Sequence, residues 1–234
     1  KNQFYIAFNN AGVLSVTDLG VQANQNIHGS PVPDMVIVTA PLFRQEAERL
    51  ADFRRSESGL DILILEPKEI YNEFSSGIPD VSAIRNMARM FYQKSGGTSK
   101  TFKYLLLIGD GSYDNKWAAK TNNHILTYQR IGSLNKKTSF ESDDFFGLLD
   151  IGEGGENPYE DNSLNGLLDI GVGRLPVETS FEAQTLIDKM INYSKNPTLD
   201  AWKNELTFLA DDVDPGDGFI QEHAYQLSTI IMNK

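Results

Sequence analysis

The stretch "YLLLIGDGSYDNK", residues 104–116, decides how the rest of the chain is read. Its apolar run has no polar alternation, the pattern of a strand buried on both faces of a parallel sheet. The run empties into a glycine-flanked loop carrying Asp110 and Asp114. Functional crevices in open α/β sheets lie beyond the carboxyl ends of the strands. Asp110 is therefore placed either at a site edge or in a turn, where glycine supplies positive φ and an Asp side chain bonds nearby N–H groups. The loop lacks the Lys and Ser/Thr of a phosphate-binding P-loop.

Working outward, a βα rhythm surrounds this strand. "MVIVTA" (35–40) and "LDILILE" (60–66) are two further continuous apolar strands. Pro41 opens a helix with Phe43, Ala47, Leu50 and Ala51 on one face, and Gly59 stops it. A short helix over Glu66–Phe74 ends by Gly77. Asp80 caps another helix, whose Ile84, Met87, Ala88 and Phe91 recur at helical spacing. Residues 111–168 are loop-rich. Within and after them "ESDDFFGLLDI" and "LLDIGVGRLP" read as strands, and "GEGGENPYEDN" between them reads as a polar hairpin excursion. Thr179 and Glu182 form a capping box before the stripe Ala183, Leu186, Ile187, Met190 and Ile191, which Pro197 closes. "ELTFLA" is a last strand, followed by "DDVDPGDG" and a helix with Ile220, Ala224, Leu227 and Ile231. Strands alternating with helices imply an α/β fold with a mostly parallel sheet and flanking helices. Residues 1–30 differ: short β-like runs and a Pro-interrupted linker suggest the tail of a preceding β domain.

Composition narrows the function. The chain has 234 residues, a net charge of −11 and 40% hydrophobic residues. That charge argues against a nucleic-acid surface, which needs a basic face. No apolar run approaches the ~20 residues of a membrane span. There are no cysteines, so disulfides, zinc–thiolate sites and a cysteine nucleophile are excluded within these residues. The three histidines, His28, His124 and His223, share no zinc-binding spacing.

The acidic strand ends carry the remaining chemistry. Asp143 and Asp144 precede two aromatics, but neighbours on a strand point to opposite faces, so a shared proton is not expected. "DDVDPGDG" offers four carboxylates in eight residues. It fails the EF-hand pattern yet remains a candidate for a different calcium loop. Asp110, Asp143, Asp212 and Asp214 are the candidate calcium ligands; no cofactor is required. "IGVGRLP" lacks the third glycine of a dinucleotide fingerprint, and its Arg174 reads as a structural ion-pair partner. No Gly-x-Ser-x-Gly elbow occurs. From the residues alone a binding module with calcium-holding acidic loops and a hydrolase stand nearly even.

Several segments in order, "DMVIVTAPLF", "LADFRRSESGLDILILEPKEIYNEF", "YLLLIGDGSYD", "SDDFFGLLD", "LDIGVGRLPVETSFEAQTLIDKMINYSKNP" and "WKNELTFLADD", together resemble the gingipain-type cysteine peptidases of family C25. The wording of "IYNEFSSGIPD", "SDDFFG" and "ANQNIHG" is most similar to the branch that serves type IX secretion. The resemblance implies a caspase-like peptidase of two subdomains. Residues 31–198 would be the first subdomain, and 199–234 the first strand and helix of the second. The catalytic His and Cys are then expected beyond residue 234. It further implies Asp211 as a supporting acid for that dyad. Phe219 falls at the substrate-binding position where arginine-specific relatives carry an Asp, which points to a small or apolar preference. The implied partners are secreted proteins with C-terminal sorting domains and other secretion-system components, at the extracellular face of a bacterial outer membrane or in secreted form.

Overall fold

The computed structural model describes residues 9, 20–115, 123–129, 140–154, 166–196, 198, 202 and 205. The expectations for Asp211, Asp212, Asp214, Phe219, His223, the "ELTFLA" strand, the last helix and most of the first β-like segment lie outside the described residues. The chain divides into two compact units, residues 1–191 and 192–234. In the second, among the described residues, the rings of Tyr193 and Trp202 lie 6.0 Å apart.

The elements run β1 (Met35–Thr39), α1 (Arg44–Ser58), β2 (Ile62–Leu65), α2 (Pro67–Phe74), α3 (Val81–Lys94), β3 (Tyr104–Ile108), β4 (Tyr128–Gln129), β5 (Glu141–Ser142), β6 (Gly171–Leu175) and α4 (Ser180–Lys195). A four-stranded sheet has the order β2-β1-β3-β6, with every neighbouring pair parallel. Its register places Thr39 beside Ile108 and Ile108 beside Leu175, so the carboxyl ends of β1, β3 and β6 form one rim. β4 and β5 make a separate antiparallel pair.

The uninterrupted apolar strands follow from a sheet covered on both sides. Val36, Val38, Leu105 and Leu107 face a core with Ile70, Ile84, Met87, Ala88 and Phe91 of α2 and α3. Ile37, Leu106 and Ile108 face the opposite core, with Ala47, Leu50 and Ala51 of α1 and Ala183 and Ile187 of α4. Each fully buried large side chain contributes about 1.5–3 kcal/mol, so the central strands β1 and β3 hold much of the unit's stability.

The helix ends match their sequence signals. Gly59 adopts φ 65° and closes α1, with its N–H on the Arg55 carbonyl. The Asp80 carboxylate accepts from the Ser82 N–H at 2.7 Å. The Thr179–Glu182 box forms in both directions, at 3.2 and 3.1 Å.

One strand expectation is corrected. "ESDDFFGLLDI" is a strand only at Glu141–Ser142; Asp144–Phe146 is a 3-10 turn. Phe145 and Phe146 are both buried, which successive strand residues cannot achieve against a single core face. The turn lets Phe145 stack on Tyr128, with ring centroids 4.2 Å apart, while Phe146 enters the core beside it.

Candidate functional site

The rim of the sheet is built from β3 outward. Past Ile108, the Gly109 N–H donates to Leu175 O and the Asp110 N–H to Val177 O, each at 3.0 Å. These bonds extend the β3–β6 pairing beyond the strands. The Asp110 carbonyl accepts from the N–H groups of His124 and Ile125, at 3.0 and 3.1 Å. The loop after β3 thereby carries a second layer of backbone, residues 123–127. Asp110 lines a pocket of about 150 Å³ with Gly111, Thr127, Glu141, Ser142, Asp143 and Arg174. Asp114 does not line it; its N–H donates to the Ser112 hydroxyl oxygen at 3.2 Å, a local turn contact. The two carboxylates of the "GDGSYD" loop have thus separated, one to the rim and one to a turn.

Arg174 organises this rim. Its Nε and Nη2 donate to the two oxygens of Asp143 at 2.7 and 2.8 Å, a bidentate pair. Nη1 reaches the carbonyls of Gly109 and Ile125, both at 3.0 Å, and Nη2 that of Leu126 at 3.4 Å. The guanidinium joins four backbone segments, as the structural ion-pair reading of Arg174 anticipated. Burial pushes the Glu141 carboxyl upward; Arg174 opposes this, and the charges of Asp110 and Asp143 add to it. Asp144 is exposed and does not line the pocket; it opens the 3-10 turn, so strand alternation is not what parts it from Asp143.

Asp110 and Asp143 do not fit a calcium site in this arrangement. Both Asp143 oxygens already accept from a guanidinium, and that positive charge shares the pocket with any cation. Calcium needs six to eight free oxygen ligands. A different acidic group, Asp150, Glu153 and Asp169, brings its carboxylate oxygens within 4.8 Å of one another. Asp169 accepts from Tyr92 Oη and the Leu149 N–H, at 2.9 and 2.8 Å. The Glu153 carboxylate accepts from the N–H groups of Asp150 and Leu167, both at 3.3 Å. Sequence spacing gave no hint of this group: Asp150 and Glu153 are near neighbours, but Asp169 joins them only through the fold.

Gly111 lets the two layers meet. A Cβ there would stand 2.3 Å from Thr127 Cγ2 and 3.0 Å from the Ile125 carbonyl oxygen. Gly111→Ala is expected to cost roughly 1–3 kcal/mol by overpacking. Adding Thr127→Ser removes the Cγ2 clash and keeps the hydroxyl, so the double variant should regain part of the loss in urea unfolding. No recovery would show that the Thr127 methyl is not the obstacle.

The geometry has a counterpart among known proteins. The model of peptidase family C25 matches residues 28–234. The chain belongs to peptidase family C25. The C25 match covers the whole sheet and rim just described. Among solved structures, the crystal structure of dimeric latent PorU from Porphyromonas gingivalis is similar, with a TM-score of 0.65 and 34% sequence identity. The similarity covers 80% of this chain and 18% of that one, so the chain spans less than a fifth of the length of the PorU chain. A comparison with curated proteins finds no match. The fold is the α/β, caspase-like arrangement of C25, with its mostly parallel sheet and flanking helices, as the resemblance implied. C25 is a family of cysteine peptidases, and this chain contains no cysteine. Among the described residues the rim holds an ion-pair staple and no nucleophile–base pair.

Proposed function

We propose that this chain is the scaffold portion of a C25 cysteine endopeptidase that removes C-terminal sorting domains from type IX secretion cargo at the outer cell surface. The observation that carries this reading is the PorU similarity, which spans 80% of the chain at 34% identity. The nucleophilic thiolate and its histidine come from polypeptide outside residues 1–234, consistent with a chain free of cysteine. In the reaction, the thiolate adds to the scissile carbonyl, and the imidazolium protonates the departing amine. The resulting thioester is opened by water, giving a free carboxylate, or by an amine of a surface lipopolysaccharide, giving an amide. The substrates are secreted proteins with sorting domains, and the working partners are other components of the secretion system.

Within this reading Asp211 orients the imidazole and stabilises its positive charge, and Phe219 lines the pocket for a small or apolar side chain. The Asp110–Asp143–Arg174 rim fixes the strand-end loops of the first unit. In the longer protein, Asp211→Ala is expected to lower kcat by roughly 10²-fold or more while leaving the fold intact. Unchanged turnover on a sorting-domain substrate would remove that role. Calcium titration calorimetry on this chain separates the rival class. Tight binding through Asp212 and Asp214, with no peptidase activity in the longer protein, would favour a calcium-holding binding module.

A further inference from the structure

Just ahead of β1, the chain is held by something other than the sheet. Val21 is fully exposed, whereas Ile27 is 4% exposed and belongs to the core on the α2–α3 side. Between them the chain meets one carboxylate. Glu73 Oε1 accepts from the Ile27 N–H at 2.6 Å and from Gln25 Nε2 at 3.1 Å. Glu73 Oε2 accepts from the His28 N–H at 3.1 Å and lies 2.7 Å from His28 Nδ1. Two successive backbone N–H groups thus converge on one anion, the geometry of an anion-binding nest.

The surrounding contacts close the arrangement from every side. Gln25 Nε2 also donates to Glu69 O at 2.5 Å, and Asn72 Nδ2 donates to Gln25 Oε1 at 3.3 Å. The His28 ring stacks on Phe74, with centroids 4.5 Å apart and planes 18° apart. Lys94 Nζ, at the end of α3, donates to the His28 carbonyl. The Asn26 side chain accepts from the Gly29 N–H at 2.7 Å and turns the chain toward β1.

We propose that Gln25–Gly29 is a clasp. It hangs residues 20–24 from the α2–α3 hairpin through Glu73, so one carboxylate, not the β1 pairing, sets the direction in which they leave the domain. Burial pushes Glu73 upward, but the bonds from Ile27, His28 and Gln25 outweigh it and hold the carboxyl at about 2. The clasp therefore keeps a charged acceptor throughout the neutral range. It straddles residue 28, where the C25 match begins, and so joins the family's domain to what precedes it. The proposal does not depend on the peptidase reading.

Residue-resolved hydrogen exchange on the whole chain tests it. The amides of Ile27 and His28 should exchange on the order of 10²-fold more slowly than those of residues 21–24. Glu73→Ala should bring them within about threefold of residues 21–24 and leave Val36–Val38 of β1 protected. If Glu73→Ala also unprotects β1, Gln25→Ala and His28→Ala decide: a local loss of roughly tenfold at Ile27 supports the clasp. Native Ile27 and His28 amides as fast as residues 21–24 would overturn it. So would protection that survives Glu73→Ala, or no local loss in the two milder variants.

Discussion

Replacing Arg85 with methionine lowers the unfolding free energy by roughly 3–4 kcal/mol, read from the urea midpoint at unchanged m-value. Arg85 sits on α3 and is 4% exposed. Its Nε and Nη2 both donate to Leu148 O, at 2.8 and 2.5 Å, and Nη2 also reaches Glu153 O at 2.8 Å. The guanidinium lies 4.9 Å from the centre of the Phe145 ring. Methionine keeps the apolar stem and removes only the fork, so the measured loss isolates the polar contacts. Each carbonyl left buried without a donor costs about 1–3 kcal/mol, and a desolvated cation–π contact adds about 1–2. Removing the charge also relieves its own desolvation, which keeps the net nearer three than six. Arg85→Lys retains a charge but offers a point donor in place of a planar fork, and about 2 kcal/mol is expected. A loss below about 1 kcal/mol for the methionine variant would show that Leu148 and Glu153 find other donors, and that Arg85 does not hold this loop.

Arg85 also shows where sequence reading stops. The α3 stripe Ile84, Met87, Ala88 and Phe91 was legible because helical spacing depends only on neighbours a turn apart. Arg85 and Arg89 belong, on the same logic, to a solvated flank. They are instead engaged because residues 148–153 return over α3 from about sixty positions away, bringing carbonyls to both: Arg89 donates to Leu149 O at 2.8 Å and Asp150 O at 2.9 Å. The same asymmetry holds elsewhere. The β1, β2 and β3 strands announce themselves by continuous apolar runs, which parallel burial imposes on each strand separately. The clasp does not, since Glu73 is an ordinary helix-surface residue until the upstream strap lies on it. "SDDFFG" misled because two adjacent aromatics satisfy strand propensity, and only the presence of one shared core forces the turn. At the rim, the strand-end rule puts Asp110 just past β3 without deciding what it does, and Arg174 makes the ion pair its position suggests. Its partner Asp143, 31 positions back, was legible only as an acidic residue near a strand end.

Arg174→Met is expected to cost roughly 3–5 kcal/mol, and Asp143→Asn clearly less, about 1–2 kcal/mol. The two differ because the two side chains have different duties. Arg174 is 10% exposed and Asp143 25%. Asparagine at 143 keeps one acceptor for the guanidinium, which still serves the carbonyls of Gly109, Ile125 and Leu126. Methionine at 174 strands the Asp143 carboxylate and all three carbonyls together. The double variant Arg174→Met with Asp143→Asn should therefore be more stable than Arg174→Met alone, because the stranded charge is gone, yet less stable than Asp143→Asn. Equal costs for the two single variants would mean that the carbonyl contacts contribute nothing and that the rim is held by the ion pair alone. The consequence reaches the site through the backbone. The His124 and Ile125 N–H groups are fixed on the Asp110 carbonyl, and Arg174 holds that layer from the far side through the Ile125 carbonyl. Hydrogen exchange at these two amides should therefore quicken in Arg174→Met by roughly tenfold or more and stay near native in Asp143→Asn. That contrast separates a staple for the strand-end loops from a surface ion pair, which would leave both amides unmoved.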